Sequence, residues 1–191
     1  MKKVWSDYLW IWTVIYFALG FFNILFAWLG MIDFMVPLII AIVKGDKGFC
    51  NKYCGRGQLF NVIGSGRKCS RMKNTPNWMA SKWFRYGFFA FFMTMFGVML
   101  FQTWLVFSGV NELREAIKLL WTFRIPWGWT YSAGMVSDWI AQFAFGFYSM
   151  MLTSTIIGLV VMFLYKPRTW CAFCPMGTMT QGICKIRNRE K

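Results

Sequence analysis

Histidine is absent from all 191 residues. That excludes bis-histidine haem, histidine-ligated zinc and Ser-His or Cys-His nucleophile pairs in one step. Acid is scarce as well: 7 Asp and Glu stand against 21 Lys and Arg, and charged residues make up 15% of the chain, below the share of a soluble domain. What fills the space is apolar. Hydrophobic residues reach 58% and aromatics 21%, the composition of an integral membrane protein. The net charge of +14 does not point to nucleic acid, because the cations sit in short blocks between apolar runs, as topology determinants do.

Taken in order, residues 4–28 are almost wholly apolar, long enough for a first span, with Asn23 as the internal polar residue and an interhelical hydrogen bond as its simplest role. The start Met1, Lys2, Lys3 resembles a secretory signal, but no small-residue cleavage site follows, so a retained first helix is expected. Gly30 then reads as punctuation and Asp33 as an aqueous turn. Residues 34–43, interrupted by Pro37, form a second, short apolar run. A basic loop follows, with ten cations between Lys44 and Arg85 against Asp46 alone; residues 58–63 within it read as a short helix lying at the membrane surface. Residues 83–107 make a third span and residues 137–165 a fourth. Between them, residues 111–121 show helical spacing of Leu113, Ala116, Ile117, Leu120 and Trp121 opposite charged positions, an amphipathic pattern. Trp121, Trp127, Trp129 and Tyr131 read as an interfacial belt.

The positive-inside rule orients these elements. Residues 108–138 balance three cations with three acids, whereas the tail from Lys166 carries six cations and one acid. The basic loop and the tail, and with them both termini, are therefore expected on the cytoplasmic side of the cell membrane. The expected fold is all-α and integral to the membrane: four transmembrane helices as two pseudo-repeated hairpins, each followed by a cytoplasmic Cys motif. One domain covers 1–191, with hairpin 1 at about 4–46, a Cys loop at 47–82, hairpin 2 at about 83–165 and a Cys tail at 166–191. No carboxylate falls inside the expected spans beyond the boundary residues Asp33 and Asp138, which argues against ion pumping.

Six cysteines remain to be explained. In a reducing compartment they are not a disulfide framework. Cys50 and Cys54 form one pair, Cys171 and Cys174 another, and in each the second Cys is followed by Gly55 or Pro175 and then by Gly57 or Gly177. Four thiolates suit zinc or an iron–sulfur cluster, and spacing alone does not choose. Three details lean toward iron. Cys174-Pro175 matches the Cys-Pro that closes ferredoxin-type runs, Gly55, Gly57 and Gly177 let backbone N–H groups approach sulfur, and Lys52, Arg56, Arg168 and Lys185 offset an anionic cluster. Cys50, Cys54, Cys171 and Cys174 are thus the candidate ligands of one shared site. Cys69 and Cys184, at unequal distances beyond their pairs, read first as free thiols and second as alternative ligands.

The paired motifs, above all the run from Arg168 through Cys171, Cys174 and Pro175 to Met179, resemble the membrane-anchored 4Fe-4S binding proteins related to the NapH, NosR and PceC families. The resemblance implies a [4Fe-4S] rather than a [2Fe-2S] cluster and a non-catalytic electron carrier. It also implies a redox partner such as a ferredoxin or flavoprotein, a membrane or FMN-binding partner subunit, and a quinone as second cofactor. This chain departs from the pattern at Gly55, where Pro is usual, and in the two residues between Cys171 and Cys174, where three are usual. It also lacks a following ferredoxin-like Cys run, so only the juxtamembrane site carries over. Two rival readings are a membrane thiol-disulfide oxidoreductase, opposed by the cytoplasmic placement of the thiols, and a structural zinc clasp. Trp170 and Phe173 read equally as a water shield or as interfacial anchors.

Overall fold

The computed structural model describes residues 8–45, 50, 53–66, 69–114, 117–119, 122–125 and 136–187, and these are mostly helical. Helix α1 is Leu9–Phe22, about 21 Å long at 1.5 Å per residue, and so shorter than a membrane core of about 30 Å. Asn23 ends it. Its backbone is extended (φ −135, ψ 120), and its side chain accepts a hydrogen bond from the Leu25 amide at 3.0 Å, the local bond with which Asn competes against helix. Asn23 thus makes a break within the chain where the sequence suggested a bond between helices.

A 3-10 turn, Ile24–Trp28, runs directly into α2, Leu29–Lys44. The boundary expected at Gly30 and Asp33 is therefore misplaced: both lie inside α2, and Ile24–Lys44 forms one apolar stretch of 21 residues. Gly30 is a packing residue, since a Cβ there would come within 2.6 Å of Tyr16 Oη and 2.8 Å of the Phe147 ring. Helix α3 is Gly55–Asn61, extended by a π-turn at Val62–Gly66. The short helix expected within 58–63 is present, but it packs inward, with Phe60 fully buried.

Helix α4 (Asn77–Ala80) precedes α5 (Lys82–Phe107). Strands β1 (Lys118–Leu119) and β2 (Phe123–Arg124) pair antiparallel, so the amphipathic helix expected over 111–121 is overturned. Tertiary contacts decide this: Ile117 is fully buried, and Ser149 hydroxyl exchanges hydrogen bonds with the Lys118 amide and carbonyl, holding the segment extended. Residues 126–135, including most of the expected aromatic belt, lie outside the described residues.

Helix α6 (Asp138–Leu164) is the central element and, among the described residues, carries more buried side chains than any other element. One core gathers Tyr16, Ile24, Phe92, Phe147 and Tyr148; a second gathers Phe60, Val161, Met162, Trp170 and Phe173. A 3-10 turn, Thr169–Ala172, leads to α7, Pro175–Arg187. Ile24–Lys44, Lys82–Phe107 and Asp138–Leu164 are each long and apolar enough to cross a membrane. Helix α5 is apolar all round, yet Phe92, Met99 and Thr103 are its buried residues, and Trp104 is 58% exposed.

Candidate metal centre

Cys50, Cys54, Cys171 and Cys174 line one cavity of about 110 Å³. Sequence separation of more than a hundred residues is closed because α3 packs on α1 and α6, while α7 packs on α2 and α5. The first pair even touches the second motif's helix: Cys50 Sγ lies 3.7 Å from Thr180 Oγ1 of α7. Cys69 is exposed and Cys184 buried, and neither lines the cavity.

The two second cysteines are built alike. Cys54 caps α3: its carbonyl accepts from the Gln58 amide at 3.0 Å and its sulfur from the Gly57 amide at 3.4 Å. Cys174 stands just before α7, its carbonyl accepts from the Thr178 amide at 3.0 Å, and the Gly177 and Met176 amides are directed at its sulfur. A Cβ on Gly57 would stand 3.7 Å from Cys54 Sγ and 3.9 Å from Cys171 Sγ, that is, between sulfurs from opposite ends of the chain. Glycine leaves that cradle open.

Gly55 serves a different purpose from the one read in the sequence. A Cβ there would overlap Thr13 Oγ1 and come within 2.8 Å of the Leu9 carbonyl, so Gly55 admits α1 rather than a cluster. Pro175, itself buried, occupies the first position of α7, where its missing N–H costs nothing. Of the expected cations, Arg56 acts electrostatically on both Cys54 and Cys174, and Arg168 on Cys171. Lys185 is exposed near the end of α7, and Lys52 lies outside the described residues.

Sequence reading named Arg56 as an offsetting cation but missed how it, Arg85 and Asp33 are placed in this frame. Arg56 donates to Ser154 Oγ at 2.9 Å and to the Met151 sulfur, both on α6. Arg85 of α5 donates to Thr178 Oγ1 at 2.9 Å and to the Gly177 carbonyl at 3.3 Å, and Thr178 Oγ1 bonds the Cys174 carbonyl. Asp33 also lines the cavity. Arg85 carried a signal as a cation beside the third apolar run, and Arg56 as a cation beside the first thiol pair. Trp170 and Phe173 are buried, stacked edge-on against each other and Phe88; Trp170 walls the cavity and Phe173 packs against Trp170.

Burial pushes Cys54 up to about 11, with the Cys174 sulfur adding to it and the Gly57 amide and Arg56 pulling back. Burial likewise raises Cys171 to about 12, the Cys54 and Cys174 sulfurs adding and Arg168 opposing. Cys174 is raised by burial against its amide bonds and Arg56. Sulfurs that repel one another around one partly open cavity, with Cys171 itself exposed, are a donor set suited to a cation, whose binding displaces the thiol protons. Among the described residues no three Cys, Asp or Glu side chains are grouped closely enough to hold one ion. Zinc, at 2.3 Å per sulfur, needs sulfurs about 3.8 Å apart in a tetrahedron.

No curated protein and no solved structure matches this chain. Residues 149–191 match the family model of a 4Fe-4S binding domain, a segment that takes in the end of α6, Cys171, Cys174 and α7. The four thiols that line one cavity, together with that match, support an iron–sulfur cluster as the cofactor, [4Fe-4S] ahead of [2Fe-2S].

Proposed function

We propose that this chain is a membrane electron carrier in which Cys50, Cys54, Cys171 and Cys174 jointly ligate one [4Fe-4S] cluster at the cytoplasmic membrane face. The observation that carries the reading is the single cavity lined by all four thiols, two from each end of the chain. The cluster would supply one-electron redox chemistry there. The chain's own residues do the rest: Gly57 and Gly177 direct amides at sulfur, Arg56 and Arg168 offset negative charge, and Trp170 excludes water.

Membrane insertion is supported by three apolar helices of sufficient length and by exposed apolar residues along α5. The basic blocks support a cytoplasmic side for the thiols and both termini. Electrons then pass between a ferredoxin or flavoprotein on that side and a quinone or partner redox subunit, because one juxtamembrane cluster does not reach across a core of about 30 Å. Chain purified without oxygen should be brown, bleach with dithionite, and contain iron and sulfide. Colourless protein with stoichiometric zinc would sink the proposal. A reporter fused at Lys191 should be active only in the cytoplasm.

A further inference from the structure

Among the described residues Asp33 is the one carboxylate that lines the thiol cavity, and it does so from within an apolar helix. An ionisable group at such a position points to function. Its helix offers a second polar group at the same level: Pro37, four residues on, has no N–H to return to the Asp33 carbonyl, and both residues line the cavity. Such a freed carbonyl is tolerated in an apolar layer where it borders a cavity.

Among the described residues, the groups facing Asp33 are few. Helix α1 contributes the Trp12 side chain, hydrogen-bonded to the carboxylate, and Tyr16, which senses its charge. Helix α3 contributes Arg56. The cavity walls add the four thiols, Phe92 and Met93 from α5, and Met151 and Ser154 from α6, of which only the thiols ionise. Arg56 is the decisive neighbour. It acts on Asp33, Cys54 and Cys174 together, while its hydrogen bonds go to Ser154 and Met151 rather than to the carboxylate. One cation is therefore shared between Asp33 and the thiol site, and adding a negative charge to that site in a poorly solvated cavity is costly unless it is neutralised.

We propose that Asp33 is a redox-linked proton site, taking up one proton from water as one electron enters the thiol-bound cluster and releasing it when the electron leaves. This rests on the electron-carrier reading. The balance is simple: the one-electron donor is oxidised, the cluster is reduced by one electron, the carboxylate becomes a neutral carboxylic acid, and the cavity's net charge is unchanged.

The test is a redox titration of the full chain, purified anaerobically in detergent, at a series of pH values around neutrality. The midpoint potential should fall with rising pH by about 59 mV per unit, a tenfold change in the reduction equilibrium for one proton per electron. Asp33→Asn should flatten the slope and Asp33→Glu should restore it. A reduced-minus-oxidised infrared spectrum should gain a protonated-carboxyl band that Asp33→Asn lacks. A potential independent of pH in the unmodified chain, or a slope that survives in Asp33→Asn, overturns the proton site while leaving electron transfer standing. Protein without an iron–sulfur chromophore overturns both.

Discussion

Cys54 and Cys174 share a local geometry: the amide four residues on bonds the cysteine carbonyl at 3.0 Å in both, and the amide three residues on, Gly57 or Gly177, is directed at the sulfur. Their surroundings differ. The second motif is enclosed by its own aromatics, Trp170 and Phe173, against Phe84 and Phe88 of α5. The first is pressed by the backbone of α1 at Gly55 and reaches α7 through Cys50 and Thr180. The comparison teaches that the residue after the second Cys differs, with α1 packing on it at Gly55, whereas the amide that faces sulfur recurs in both motifs.

The largest effect should come from the feature both motifs share. Cys54→Ser and Cys174→Ser should each abolish the iron–sulfur chromophore, read as iron and sulfide per chain, while Cys69→Ser leaves it intact. If Cys54→Ser retains full iron, the two motifs do not form one site. Next comes the enclosure peculiar to the second motif. Phe173→Ala should cost about 3–5 kcal/mol, seen as a lower thermal midpoint in detergent.

The residues that differ between the motifs give a smaller contrast. Gly55→Ala forces a methyl into Thr13 and the Leu9 carbonyl and should cost about 1–3 kcal/mol. Pro175→Ala should cost about 0.4–1 kcal/mol. Equal losses would show that α1 yields at Gly55. The smallest effect concerns protons. In the cluster-free protein Cys54 and Cys171 are held at about 11 and about 12 against an ordinary 9.0, so the folded state binds their protons more tightly than the unfolded state does. That stabilisation is complete below pH 9 and is lost as pH rises through 11 and 12. Alkylation of Cys54 and Cys171 should accordingly keep accelerating above pH 9, where an unperturbed thiol levels off.

Much of the site was legible because thiol chemistry is encoded in residue type and spacing. Cys50, Cys54, Cys171 and Cys174, picked out by their motifs, line one cavity, and the Gly57 and Gly177 amides face sulfur. The helices were legible where apolar runs are long, as at Lys82–Phe107 and Asp138–Leu164. The first hairpin was read less well. Gly30 and Asp33 look like a turn, yet packing against Tyr16 and Phe147 carries the helix through them, and Asn23, whose side chain bonds the backbone locally, makes the break. The strands at Lys118–Leu119 and Phe123–Arg124 were illegible because Ser149, on a distant helix, satisfies the extended backbone.

By itself the sequence determined the chemistry and the setting: no histidine, paired thiols with their glycines, and apolar runs parted by cations. Ligand type, solvation of apolar surface and charge asymmetry are properties of composition and order. Only the tertiary structure decided that Gly55 makes room for α1, that Arg56 is held on α6, and that Asp33 shares the thiol cavity. Those facts depend on which helix faces which, and close packing between residues far apart in the chain sets that.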